Sequence, residues 1–382
     1  MRSFKEYLYY FVKVSSDKSH RAYYREYYKY YFNEFEASDN KKDNKIIKSE
    51  LKVLQKYWNT YPIQYFRYNM YRSDCPLNLE EMKDYIPDFF AFYLFYPQSF
   101  KDRNILCEDK KLMHITNRGM EISQPKTLFF SENNGFLSES LDKISIADCL
   151  RLLNYSTSAK IFVKPVFGVG GKGIYVFNRE DDKYIDKRNR IILDEQFLKK
   201  ISGDTFIIQE GVKQHAIMNR IYPNSLNTFR IVTEYDNNNV KILFSILRMG
   251  IGGNEIDNAS SEGINIAINT KEGRLEKFAN ANNRACYHQH PDTGFIFENY
   301  KFPENMWKEI TAFATMVAYK YAPIRYIGWD IAYSENGPVL IEGNNGPGIA
   351  IIQDNFGGAR KRFKINNPKE YWYSKNYSLK NL

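Results

Sequence analysis

IRYIGWDIAYSENGPVLIEGNNGPG, residues 324–348, is the stretch on which the fold turns. Two runs rich in β-branched and aromatic residues flank Ser334-Glu335-Asn336-Gly337, which reads as a β-hairpin around a tight turn. A hairpin of this length brings Asp330, in the first strand, close to Glu342 and Asn344 at the end of the second. Three oxygen-bearing side chains then meet among apolar neighbours, where carboxylates usually need a cation. Such hard donors suit magnesium, which combines a few carboxylates with phosphate oxygens. A solvated hairpin with an acidic end is the plainer alternative.

Working upstream, VKPVFGVGGKGIYVFN (163–178) reads as a strand, a loop holding Gly168, Gly170, Gly171 and Gly173 around Lys172, and a second strand. Glycines let successive backbone N–H groups form an anion-binding concavity. The order is not that of a P-loop or a dinucleotide fingerprint, both of which lead into a helix. FIIQEGV (206–212) is a buried-strand pattern ending at Gln209-Glu210, where an acidic side chain and open backbone groups can read the amino edge of adenine. Further strands are expected at TFRIVTEYD (228–236), VKILFSILRM (240–249) and INIAINT (264–270), and helices at about Asp194–Ile201 and Asn305–Tyr321. This alternation argues for an α+β architecture with mainly antiparallel sheets.

A lysine strand with a Gly-rich hairpin, then an acidic hinge, then an Asp and a Glu-x-Asn pair on two closing strands: taken in this order, the motifs resemble the ATP-grasp superfamily. Glu108-Asp109-Lys110, Leu112-Met113, Gly119, Ile122 and Pro125 to Thr127 look like the lead-in of carboxylate-amine ligases such as D-alanine:D-alanine ligase. Ser225 to Thr233, with Arg248-Met249-Gly250 and Ile256-Asp257-Asn258, looks most like the sugar-transfer-associated ATP-grasp group. The resemblance runs from about Asp102 to Gln353. It implies two α+β subdomains that sandwich ATP, with Mg2+ as second cofactor. Lys110 and Lys164 are similar to the lysines that hold the nucleotide phosphates; Gly170, Gly171, Lys172 and Gly173 would cover the triphosphate. Gln209, Glu210 and Val212 fall at the adenine hinge, and Asp330, Glu342 and Asn344 match the magnesium ligands.

Two departures accompany the match. Where many such ligases carry a ribose-binding glutamate past the hinge, this chain has Lys213, Gln214 and His215, so His215 becomes the candidate for ribose or substrate. The position before the metal aspartate, often arginine, is Trp329, so Arg230 or Arg248 must supply the catalytic positive charge. Asp257 and Asn258 are candidates for acceptor contact, and equally plain turn residues. Cys286, His288 and His290 alternate as strand ligands of a metal would, without further ligands to complete a site.

The bulk numbers bound the rest. A chain of 382 residues has room for two or three domains. The expected division is a helical Tyr/Lys-rich region over 1–100 and a linker and pre-grasp element over 101–158. A Gly-loop subdomain over 159–212, a metal-site subdomain over 213–356 and a basic tail over 357–382 follow. The 31 Tyr and 27 Phe are compatible with a sugar-facing surface and equally with an AT-rich genome. Tyr24, Tyr27, Tyr28, Tyr31, Phe32 and Phe35 recur at helical spacing, with breaks expected near Ser15-Ser16 and Ser38-Asp39-Asn40. A net charge of +9 favours anionic partners, yet no nucleic-acid motif is present. Cys75, Cys107, Cys149 and Cys286 form no CxxC pair, which fits a reducing cytoplasm. MRSFKEYLYYFVKV does not read as a signal peptide, and no stretch approaches the ~20 apolar residues of a membrane span; peripheral contact with the inner membrane face stays open.

The function expected from the resemblance is an ATP-dependent carboxylate-amine ligase working through an acylphosphate on a cell-surface glycan precursor. The alternatives are an ATP-grasp phosphotransferase and a non-catalytic glycan- or membrane-binding module.

Overall fold

The structure, a computed structural model, describes residues 29–100, 103–168, 173–253, 263–281 and 284–373. Gly170, Gly171, Lys172, Asp257 and Asn258, the tyrosines before residue 29 and the break expected at Ser15-Ser16 lie outside the described residues. The chain divides into two units, Phe100–Pro347 and a second formed by Met1–Ser99 with Gly348–Leu382.

The smaller unit is helical where it is described. Asp43 accepts from Lys45 N at 2.7 Å and caps the helix Asn44–Trp58, which follows the break expected at Ser38–Asn40. Tyr31, Leu54, Tyr65, Phe66 and Met70 share one apolar core, so this part of the Tyr/Phe pattern is a packing face. The chain's far end enters the same unit through specific bonds. Arg67 Nη2 meets Asp354 Oδ2 at 2.6 Å, Arg360 Nη2 meets Asp84 Oδ1 at 2.7 Å, and Trp372 Nε1 donates to Trp58 O at 3.0 Å.

Asp88 sits beside the Arg67–Asp354 pair and is 8% exposed. Burial, with the Asp354 charge adding to it and Arg67 opposing, pushes its carboxyl up to about 6. An unfolded aspartate titrates near 3.9, so its contribution to stability is complete below about pH 4 and is lost as the pH rises through 6. Asp88→Asn is therefore expected to raise stability by about 3 kcal/mol at pH 8 and to change little at pH 4. Urea unfolding at the two pH values checks this; an equal effect at both would exclude a titrating Asp88.

The larger unit is built on two antiparallel sheets. The first has eight strands: β1 (Thr127–Glu132), β2 (Gly135–Ser138), β3 (Lys143–Ile144), β4 (Lys160–Pro165), β5 (Tyr175–Glu180), β6 (Lys183–Asp186), β7 (Ile191–Ile192) and β8 (Phe206–Glu210). Their order is β3-β2-β1-β8-β4-β5-β6-β7, so the segment read as a linker over 101–158 contributes three strands to the Gly-loop sheet. Helices α1 (Lys110–Gly119), α2 (Ile146–Tyr155) and α3 (Glu195–Ile201) accompany it, α2 and α3 supplying Cys149, Leu153, Phe197, Leu198 and Ile201 to its core. Asp194 caps α3 by accepting from Phe197 N at 3.0 Å.

The second sheet has seven strands: β9 (Thr228–Asp236), β10 (Asn239–Met249), β11 (Ile264–Asn269), β12 (Arg274–Ala281), β13 (Cys286–Tyr287), β14 (Tyr326–Ser334) and β15 (Gly337–Asn344), in the order β13-β12-β11-β10-β9-β14-β15. Period-2 alternation sorts its residues. Phe229, Ile231, Leu247, Ile264, Ile327, Trp329 and Ile331 face one core, shared with Met306, Ile310, Ala314 and Val317 of α4 (Glu304–Lys320). Arg230, Arg248, Asn265 and Asp330 fall on the opposite face. Among the described residues no helix is long and apolar enough to cross a membrane.

Candidate active site

The closing hairpin forms as read. Asp330 lies in register with Glu342 on β15 and with Arg230 on β9. Arg230 grips Asp330 through Nε and, at 2.8 Å, through Nη2; Arg248 Nη1 reaches the same carboxylate at 2.6 Å. All three are buried, at 2%, 7% and 4% exposure. Burial alone would raise the Asp330 carboxyl, but the two guanidinium groups outweigh it and hold it well below the usual carboxylate range. Glu342 has no such partner pair: burial and then the Asp330 charge push its carboxyl up. Asn344 Nδ2 lies 3.4 Å from Asp330 Oδ2 and 3.5 Å from Glu342 Oε1.

Gly328 makes this geometry possible. A Cβ there would stand 2.9 Å from Pro347 Cβ and 3.0 Å from Arg230 Cδ, so the arginine stem occupies the space a side chain would need. Trp329 points the other way, its Nε1 donating to Thr233 Oγ1 at 2.9 Å and its ring edge-on to Tyr321. An arginine at 329 would face the helix-covered core. The positive charge at this aspartate comes instead from the neighbouring strands β9 and β10.

Lys110 opens α1, where Asp109 accepts from Leu112 N at 2.8 Å; its Nζ donates to Gly168 O at 2.9 Å. Burial lowers its pKa, while the charges of Glu342 and Asp109 oppose that shift, so the acidic cluster acts on this lysine. Lys164, on β4, donates to Gln209 Oε1 at 3.2 Å and lies over the Phe162 ring. Gly173 holds φ +74°, the left-handed region, with its Cβ position 3.1 Å from Pro165 Cγ. Glu210 pairs with Lys126 at 2.9 Å, and Val212 follows in the irregular link after β8.

The three residues past the hinge are bound to their own surroundings. Lys213 meets Glu335 at 3.0 Å; Gln214 is buried, its Oε1 accepting from Asn227 N at 3.0 Å and its Nε2 donating to Tyr222 O at 2.9 Å. His215 Nδ1 accepts from Ile217 N at 3.1 Å, a helix cap. His290 uses both ring nitrogens on backbone, Nε2 with Gly250 O at 2.9 Å and Nδ1 with Asp292 N at 3.2 Å, and His288 packs on Phe278. The alternating Cys286, His288 and His290 therefore do not assemble as metal ligands.

Residues 94–366 match a family model described as sugar-transfer associated ATP-grasp. The chain belongs to that family. Comparison with curated proteins gives no match. Among solved structures it is similar to D-alanyl-alanine synthetase A of Vibrio cholerae O1 biovar eltor, with 12% identity over 69% of this chain and 66% of that one, and a TM-score of 0.40. It is also similar to the L-amino acid ligase of Bacillus licheniformis (13% identity, 67% of this chain, 42% of that one, TM-score 0.34). The D-alanine–D-alanine ligase of Bacillus anthracis compares likewise (13%, 70%, 69%, 0.36). This chain thus spans about two fifths of the L-amino acid ligase and about two thirds of the synthetase.

Within this ATP-grasp fold the acidic cluster consists of two carboxylates and a carboxamide. Among the described residues no group of three or more His, Cys, Asp or Glu side chains could hold a metal ion, so outside oxygens, such as those of phosphate, would have to complete the coordination of magnesium. The donor types fit that ion, and Glu342, buried beside a like charge, gains most from a cation. Asp330 fits only by sharing oxygens already held by Arg230 and Arg248.

Sequence reasoning passed over Asn265, which lies in register with Arg248 and is 4% exposed, its Oδ1 without a hydrogen-bond partner among the described residues. Its place in the alternation of INIAINT, opposite the core-facing isoleucines, was the available signal.

Proposed function

We propose that this ATP-grasp chain is an ATP-dependent carboxylate-amine ligase, acting through an acylphosphate on a cell-surface polysaccharide precursor such as a uronic acid. The observation that carries the reading is the cluster of buried Asp330 with half-buried Glu342 and Asn344, beside two buried arginines on one sheet face, and Lys110 within reach of its charge. A non-catalytic binding module has no need of such an assembly.

In this reading Lys110 and Lys164 hold nucleotide phosphates, while Glu342 and Asn344 hold magnesium with Asp330 sharing. Bound magnesium supplies charge neutralisation on the phosphate oxygens. Asp330 orients two guanidinium groups where negative charge develops during transfer to the substrate carboxylate. Pre-organised charges of this kind, together with positioning, carry most of the catalysis of phosphoryl transfer. Gly170, Gly171, Lys172 and Gly173 would cover the phosphates; Gln209, Glu210 and Val212 would line the adenine side; His215, Asp257 and Asn258 remain candidates for ribose and acceptor. ATP as substrate fits a cytoplasmic site of action, and precursors of surface glycans suit the inner face of the membrane.

The test incubates the protein with ATP, magnesium, a uronic acid and an amino acid. A ligase releases ADP and free phosphate only when acid and amine are both present. Phosphate retained on the acceptor, without an amine, would replace this reading by the phosphotransferase.

A further inference from the structure

A buried polar chain leads away from Lys164, and its direction follows from which groups can donate. Lysine only donates, so Gln209 must present Oε1 to it, at 3.2 Å. Its Nε2 then faces Thr127 Oγ1 at 3.1 Å and donates. The Thr127 hydroxyl keeps its proton free to donate to His114 Nδ1, also at 3.1 Å. In that direction Nδ1 is bare and the ring proton sits on Nε2, which stands 3.8 Å from Glu139 Oε1 and has no hydrogen-bond partner among the described residues. Gln209, Thr127 and His114 are 7%, 2% and 2% exposed. The His114 ring stands edge-on to Phe130, and its carbonyl accepts from Gln124 Nε2 at 3.1 Å, so the end of the chain is anchored. Burial also lowers the His114 pKa, Arg118 adding to this and Glu139 opposing it.

We infer that Gln209, Thr127 and His114 form a one-way hydrogen-bond relay that positions Lys164 for the nucleotide phosphates. The inference rests on the nucleotide reading of the site and deepens it: Gln209 acts on the phosphate lysine through its side chain, and His114 and Thr127 become positioning residues. Thr127 and His114 need not touch ATP. The Gln209–Thr127 and Thr127–His114 links are buried, where a misdirected donor or acceptor finds no water to satisfy it, and the Lys164–Gln209 link is half-buried.

Titration calorimetry with ADP in magnesium, and separately with adenosine, tests the relay on the whole chain. Thr127→Val keeps the shape and removes the hydroxyl; it is expected to weaken ADP about tenfold and leave adenosine unchanged, because only the phosphate contact is misplaced. Thr127→Ser keeps the hydroxyl and restores ADP affinity to within about twofold. Equal weakening of both ligands, or none, overturns the relay while the nucleotide reading stands. Absence of ADP binding by the unaltered protein overturns both. Should Thr127→Val not fold, the unaltered protein decides by nitrogen-15 spectra of its five histidines, assigned with His114→Gln: a proton on Nε2 of His114 supports the relay, and one on Nδ1 overturns it.

Discussion

Asp330→Asn is expected to destabilise the chain by about 3–5 kcal/mol, the cost of removing one partner from a buried ion pair. The aspartate carries the only negative charge that hydrogen-bonds both Arg230 and Arg248 among the described bonds. Asparagine fills the same volume, so packing is unchanged; what remains is two guanidinium groups at 7% and 4% exposure without that charge. Its amide would also turn a donor towards groups that only donate. Urea unfolding measures the loss, and a second substitution identifies its cause: Arg248→Met added to Asp330→Asn should recover part of it, because one of the two buried positive charges that faced Asp330 is gone. A loss below about 1 kcal/mol would mean that the arginines are balanced elsewhere.

Glu342→Ala should do the reverse, leaving the fold intact and ending magnesium-dependent ATP turnover. Glu342 stands beside a like charge with its carboxyl pushed up by burial and by Asp330, so its removal relieves repulsion. Stability is expected to change by less than about 1 kcal/mol. Turnover is another matter, because this is the carboxylate least engaged by the arginines and hence the readiest magnesium donor in the proposed site. Losing a charge that stabilises phosphoryl transfer costs on the order of a thousandfold or more. ADP release with and without magnesium, beside a urea curve, reads both effects; unchanged turnover removes Glu342 from the metal assignment.

These two carboxylates show how far the site was legible. Both sit on strongly patterned strands that a short turn brings together, which is a local matter. Their direct pairing is not, because counting from the turn puts Ile341 opposite Asp330, and only the register shift between Asp330 and Ile331 brings Glu342 there. That one is bound by two arginines and the other is not depends on β9 lying next to β14, a pairing between segments about a hundred residues apart. Trp329 is instructive in the same way. Read as a missing arginine it suggested a deficit of charge, whereas alternation turns position 329 into the core and the charge arrives from Arg230, over a glycine that leaves room for it. His215, read as a ribose candidate, caps a helix with one ring nitrogen.

The sequence by itself determined the antiparallel α+β architecture, the closing hairpin and the family, because strand periodicity and tight turns are local and the motifs keep their order. Only the tertiary structure decided that residues 127–144 extend the Gly-loop sheet, that the chain's far end joins its beginning through Arg67–Asp354 and Arg360–Asp84, and that Gln209 faces Lys164. Each of these is a contact between residues distant along the chain, fixed by which buried donor can reach which buried acceptor, and no pattern within a single segment encodes that choice.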